Sequence, residues 1–79
     1  MRMGKIKGWR QINKNRWENQ KEGMVVWIEE HLISLEGVRW CYRVLDLKYS
    51  RRGRISKNFK TRNKAVNNAI KWMKAHPRG

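Results

Sequence analysis

The sequence predicts an α+β fold: a three- to four-stranded antiparallel sheet with one C-terminal helix packed on one face, in the order β-β-β-α. Three observations predict it. Val38, Trp40, Tyr42 and Val44 share one parity while Arg39, Cys41, Arg43 and Leu45 share the other, the period-two alternation of a strand with one buried face. Met24-Val25-Val26-Trp27-Ile28-Glu29 is dense in β-branched and aromatic residues and ends in charge, which suits a strand. Ala65, Val66, Ala69, Ile70 and Met73 recur at three and four, the stripe of an amphipathic helix.

Residues 1–8 hold three basic residues and two glycines without a period, and read as a flexible basic arm ahead of a single domain over 9–79. Trp9, Ile12 and Trp17 are the first anchors, within a short irregular strand between Trp9 and Glu18. The run Asn19-Gln20-Lys21-Glu22-Gly23 is turn chemistry before the Met24 strand. His31 to Gly37 leaves two readings, because Leu32, Ile33 and Leu35 are apolar for a loop. Either the strand runs on, or the loop covers one end of the core. The next strand, Val38 to Tyr49, turns its Trp40 face to the core and its arginines away. A turn at Ser50-Arg51-Arg52-Gly53 leads into Arg54 to Lys60, anchored by Phe59, and makes a hairpin with a strongly basic tip. Thr61 is a good N-cap, and His76 before Pro77 marks the helix end. Trp40 and Trp72 read as core.

One helix covers one face of an antiparallel sheet, so the other face is solvated or binds something. Arg39 and Arg43 belong to that face by parity, and so does Trp27, which opposes Val26 and Ile28.

The charge is concentrated. All six acids lie between Glu18 and Asp46, whereas eleven of the twenty Lys and Arg residues lie between Lys48 and Arg78. The net charge is +14 on 79 residues, a field that attracts polyanions from beyond contact distance. Arg51, Arg52, Arg54, Lys57, Lys60 and Arg62 offer phosphate contacts, which need cations without strict stereochemistry. Arginine can also pair with guanine in the major groove, and Arg39 and Arg43 join this cluster in supplying phosphate and groove contacts. Trp27 or Tyr49 suits a base or sugar contact.

Catalysis has little support. His31 and His76 read as isolated, so no metal site is expected around Cys41, the one cysteine. No glycine-rich loop opens the helix to cradle a phosphate. The expectation is a non-enzyme with no cofactor and no small-molecule substrate. With one cysteine, no apolar run long enough to span a bilayer and no secretory signal, it is expected in the cytoplasm and away from membranes.

Phe59-Lys60-Thr61-Arg62-Asn63-Lys64-Ala65, with Ala69 four residues on, follows a strand with Trp40 and alternating charge. This arrangement resembles the three-strand-plus-helix DNA-binding domain of plant ethylene-response factors, and the N-terminal arm-binding domain of tyrosine recombinases. The resemblance covers roughly Val25 to Met73 and implies a sheet laid in the DNA major groove, with Arg39 and Arg43 at the outward positions. The ending Trp72-Met73-Lys74-Ala75-His76-Pro77 is similar to that of small archaeal proteins of unassigned function. The function expected is therefore nucleic-acid binding, with duplex DNA favoured over RNA. The alternatives are an RNA- or ribosome-associated protein and a module docking an acidic protein partner.

Overall fold

The computed structural model describes residues 6–47 and 54–77. Five strands, β1 (Arg10–Asn13), β2 (Arg16–Asn19), β3 (Met24–Ile33), β4 (Gly37–Asp46) and β5 (Arg54–Ile55), are followed by one helix, α1 (Arg62–Ala75). The strands form one antiparallel sheet in the order β1-β2-β3-β4-β5. The α+β class and the single helix are as expected; the strand count is five rather than three to four. The extra strand arises because the segment read as one irregular strand folds back at Asn13-Lys14-Asn15. There the Asn13 side-chain oxygen accepts from the Asn15 backbone N–H at 2.8 Å, a local asparagine turn.

β3 runs on through Leu32 and Ile33, so the first of the two readings of 31–37 holds. The connecting turn closes where the Glu36 N–H donates to the Ile33 carbonyl at 3.0 Å. Leu35 takes φ 72° in this turn, at a position that turns normally give to Gly or Asn. β5 is only two residues long, and Phe59 reaches the sheet through an isolated bridge to Trp40. The expected tip at 50–53, with Arg51, Arg52 and Tyr49, lies outside the described residues.

α1 starts at Thr61, whose hydroxyl accepts from the Lys64 N–H at 3.2 Å, and ends at His76. Ala65, Val66, Ala69 and Met73 are buried against β3 and β4, while Ile70 is only half-buried. The core they share holds Trp9, Trp17, Val26, Ile28, Val44 and Phe59, with Trp40 and Trp72 packed at its margin. Trp9 and Trp17 are thus deeper than the two tryptophans read as core.

Residues 1–5 lie outside the described residues, but Ile6, within the segment read as a basic arm, also belongs to this core. The reason is a junction between the two ends of the described chain. The Trp9 indole N–H donates to the His76 carbonyl and the buried Asn19 amide donates to the Pro77 carbonyl, each at 3.0 Å. Gly8, at φ 84°, lies so close that an added Cβ would meet the Pro77 oxygen at 2.3 Å. Among the described residues, no helix is long and apolar enough to cross a membrane.

Candidate functional site

Strand pairing decides which side chains meet on the face that α1 leaves open. Residues opposite one another share a face, and successive residues alternate. The pairs Arg10↔Glu18, Glu18↔Val25 and Val25↔Leu45 make one row; Arg16↔Trp27, Trp27↔Arg43 and Arg43↔Ile55 make the next. Beyond them stand Glu29↔Cys41 and His31↔Arg39. Four arginines, one tryptophan and one histidine therefore lie on one side of the sheet, among two glutamates.

The centre of the face is organised by Glu29. Its Oε2 accepts from the Trp27 indole N–H at 2.6 Å and from Arg43 Nε at 2.8 Å, while Oε1 accepts from Arg43 Nη2 at 3.3 Å and lies 3.0 Å from His31 Nε2. Burial pushes the Glu29 carboxyl up, but the hydrogen bonds from Arg43, Trp27 and His31 and the Arg43 charge outweigh it and hold it below its ordinary range. The Glu29 hydrogen bond in turn raises Arg43. Beneath this network Cys41 is fully buried, and its thiol is pushed up by burial and by the Glu29 charge against the opposing pull of Arg43.

Beside Trp27 the face opens into a shallow cleft of about 410 Å³. Val25 and Leu45 give it an apolar floor, and Trp27, Arg16, Asn13 and Asn15 supply an aromatic wall, a cation and two amides. The Glu29 hydrogen bond fixes the indole beside this cleft, so the ring orientation is set before anything binds.

The cations expected to bind nucleic acid separate into distinct groups. Arg43 reaches the open face as expected but is engaged by Glu29. Arg39 is on the same face, 3.8 Å from Glu36 and bonded to the Val38 carbonyl. Arg54, Lys57 and Lys60 are exposed at the β5 edge of the sheet, Arg54 opposite Val44 and so on the parity of the helix side, with the Lys57 ammonium 5.6 Å from the centre of the Phe59 ring. Arg62 is not a free cation: its guanidinium donates to Asn15 Oδ1 at 2.7 and 3.0 Å and to the Lys14 carbonyl at 2.6 Å, tying the start of α1 to the β1–β2 turn.

Sequence reasoning missed Arg10, Arg16, Asn13 and Asn15, because it ran two strands together and so had no register for them. It also read His31 as isolated, whereas the β3–β4 register sets it beside Glu29 and Cys41. The alternation of Glu29 and His31 on one strand was the available signal. Comparison with family models, curated proteins and solved structures gives no match to this chain, which leaves the resemblances noted in the sequence neither supported nor opposed.

Proposed function

We propose that this protein binds nucleic acid through the open face of its sheet, with an unpaired base stacked at Trp27 and the strand's phosphates met by surrounding cations. The observation that carries the reading is the Trp27 cleft, where a fixed aromatic ring, an apolar floor, two asparagines and Arg16 adjoin on a chain of net charge +14. Stacking a base on an aromatic ring contributes roughly 1–3 kcal/mol, and amide groups can hydrogen-bond base edges. Arg10, Arg16 and Arg39 on the face, with Lys57 and Lys60 beside it and Arg54 around the β5 edge, suit phosphate contacts.

The Arg43 pairing favours an unpaired base over major-groove reading of duplex DNA. A bidentate contact to guanine is worth roughly 1–3 kcal/mol. Freeing Arg43 from Glu29 gives up hydrogen bonds to a charged group, worth about 1.5–3 kcal/mol. The exchange leaves Arg43 with little net discrimination, whereas Trp27 needs no rearrangement to stack.

Salt-matched competition between single strands, structured RNA and duplex DNA tests this reading, with wild type and Trp27→Ala. Single strands are expected to bind most tightly, and the substitution to weaken them about tenfold or more, the equivalent of a lost stack. Preference for duplex DNA unaffected by Trp27→Ala would return the major-groove reading. Absence of binding to any form at low salt would end the nucleic-acid reading.

A further inference from the structure

The open face holds a second group of side chains, of which only Glu29, through the Trp27 indole, bears on nucleic-acid binding. Glu29 and His31 are alternate residues of β3, so both project to the same side, and Cys41 of β4 lies directly opposite Glu29. Their carboxylate oxygen, imidazole nitrogen and thiol sulfur all lie within 4.8 Å of one another. Among the described residues this is the one place where three such groups converge. We infer that Glu29, His31 and Cys41 form a binding site for a zinc-class divalent cation.

The donor set is the argument for the class of ion. One sulfur, one nitrogen and one oxygen suit a borderline-soft ion such as zinc, and neither calcium nor magnesium takes sulfur. Around tetrahedral zinc, bond lengths of about 2.0–2.3 Å place donor atoms roughly 3.3–3.6 Å apart. The present atoms lie within 4.8 Å of one another, so closing to that spacing asks for about 1.2–1.5 Å at most, a distance on the scale of side-chain rotation. The ion would sit between Glu29 Oε1, His31 Nε2 and Cys41 Sγ, where it replaces the thiol proton and the Oε1–Nε2 hydrogen bond, the neutral imidazole keeping its proton on Nδ1, with the fourth position toward solvent on the His31 side.

The surroundings match what orients metal ligands elsewhere. Oε2 of Glu29 is held by the Trp27 indole and by Arg43 Nε, while Oε1 takes a longer bond of 3.3 Å from Arg43 Nη2 and turns toward His31. Outer hydrogen bonds of this kind fix a carboxylate ligand in place. A dication meeting one carboxylate and one thiolate forms a neutral set before Arg43 is counted, and the Arg43 charge then opposes the ion. The site is therefore an exchangeable one. The rival account is that Glu29 serves only as the hydrogen-bond and charge partner of Arg43, Trp27 and His31; that account leaves the Cys41 sulfur beside them as packing alone.

The inference stands apart from the nucleic-acid reading and is tested without nucleic acid. Full-length protein, kept reduced with a phosphine, is titrated with Co²⁺ and then with Zn²⁺. One ion per chain is expected, with a thiolate-to-cobalt charge-transfer band in the near ultraviolet that Zn²⁺ abolishes. His31→Gln, on a part-exposed side chain, and Cys41→Ala should each remove the band and weaken Zn²⁺ binding at least tenfold, while His76→Gln should retain both. Trp27→Phe should weaken the ion by about tenfold, as loss of an outer hydrogen bond does. No stoichiometric ion in the wild type, or binding that survives His31→Gln in a chain shown to be folded by circular dichroism, would overturn the site.

Discussion

Glu29 illustrates how one carboxylate organises the centre of a face rich in arginine. It accepts from Trp27 and Arg43 and contacts His31, so its ionised form is favoured by the fold. A carboxyl depressed in the folded state contributes stability above its unfolded pKa, and that contribution is lost as pH falls through the folded value. Glu29→Gln is accordingly expected to be less stable than wild type at pH 7 by up to about 3 kcal/mol, the worth of hydrogen bonds to a charged group. The gap should close in acid below the ordinary glutamate value of 4.5, as the wild type becomes protonated. Urea unfolding of both proteins at neutral and acid pH reads this, and a gap independent of pH would remove the carboxylate from the account. A different residue-scale effect sits at Leu35, fully exposed at φ 72°. The left-handed conformation costs a side chain roughly 1–2 kcal/mol, and asparagine tolerates it better. Leu35→Asn should therefore raise the midpoint of unfolding, since no packing is lost.

At the scale of elements, the fold depends on contacts that bring distant segments to the sheet. Arg62 joins the first turn of α1 to the β1–β2 turn, and the Asn15 carbonyl of that turn accepts from the Ile28 N–H at 2.8 Å. Arg62→Gln is expected to cost about 1–3 kcal/mol of stability through unsatisfied partners and to leave the salt dependence of nucleic-acid binding unchanged. A flattened salt slope with intact stability would instead make Arg62 a phosphate contact. The helix was legible in the sequence because Thr61, the apolar stripe and Pro77 each act locally. The faces of β3 and β4 were legible too, since parity alone put Trp27, Arg39 and Arg43 together. The β1–β2 split was not, because it turns on a short asparagine-rich stretch that carries neither Gly nor Pro. The Glu29 network was hidden for another reason. Which residue stands across from Glu29 depends on the length of the turn after Ile33, and the sequence left open where that strand ended.

At the scale of the whole molecule, the question is how much of the +14 charge acts on a partner. The ion pairs Arg43–Glu29 and Arg16–Glu18 neutralise part of the open face, so the effective cations there are fewer than composition suggests. Arg54, Lys57 and Lys60 lie to one side, exposed and next to β4. If about five cations contact phosphate, log K should fall against log salt with a slope of about −3.5 on a single strand and about −4.5 on a duplex. The difference follows from the lower counterion density of the single strand and does not require different contacts. Replacing Arg54, Lys57 and Lys60 together by glutamine should flatten the single-strand slope by roughly 2, at about 0.7 per lost contact. The same triple change should leave the effect of Trp27→Ala intact, because stacking releases no counterions. Binding isotherms over a salt series for wild type, the triple variant, Trp27→Ala and the combination separate the two contributions. A triple variant with an unchanged slope would move the phosphate path away from β5, toward Arg10 and Arg16 beside the cleft.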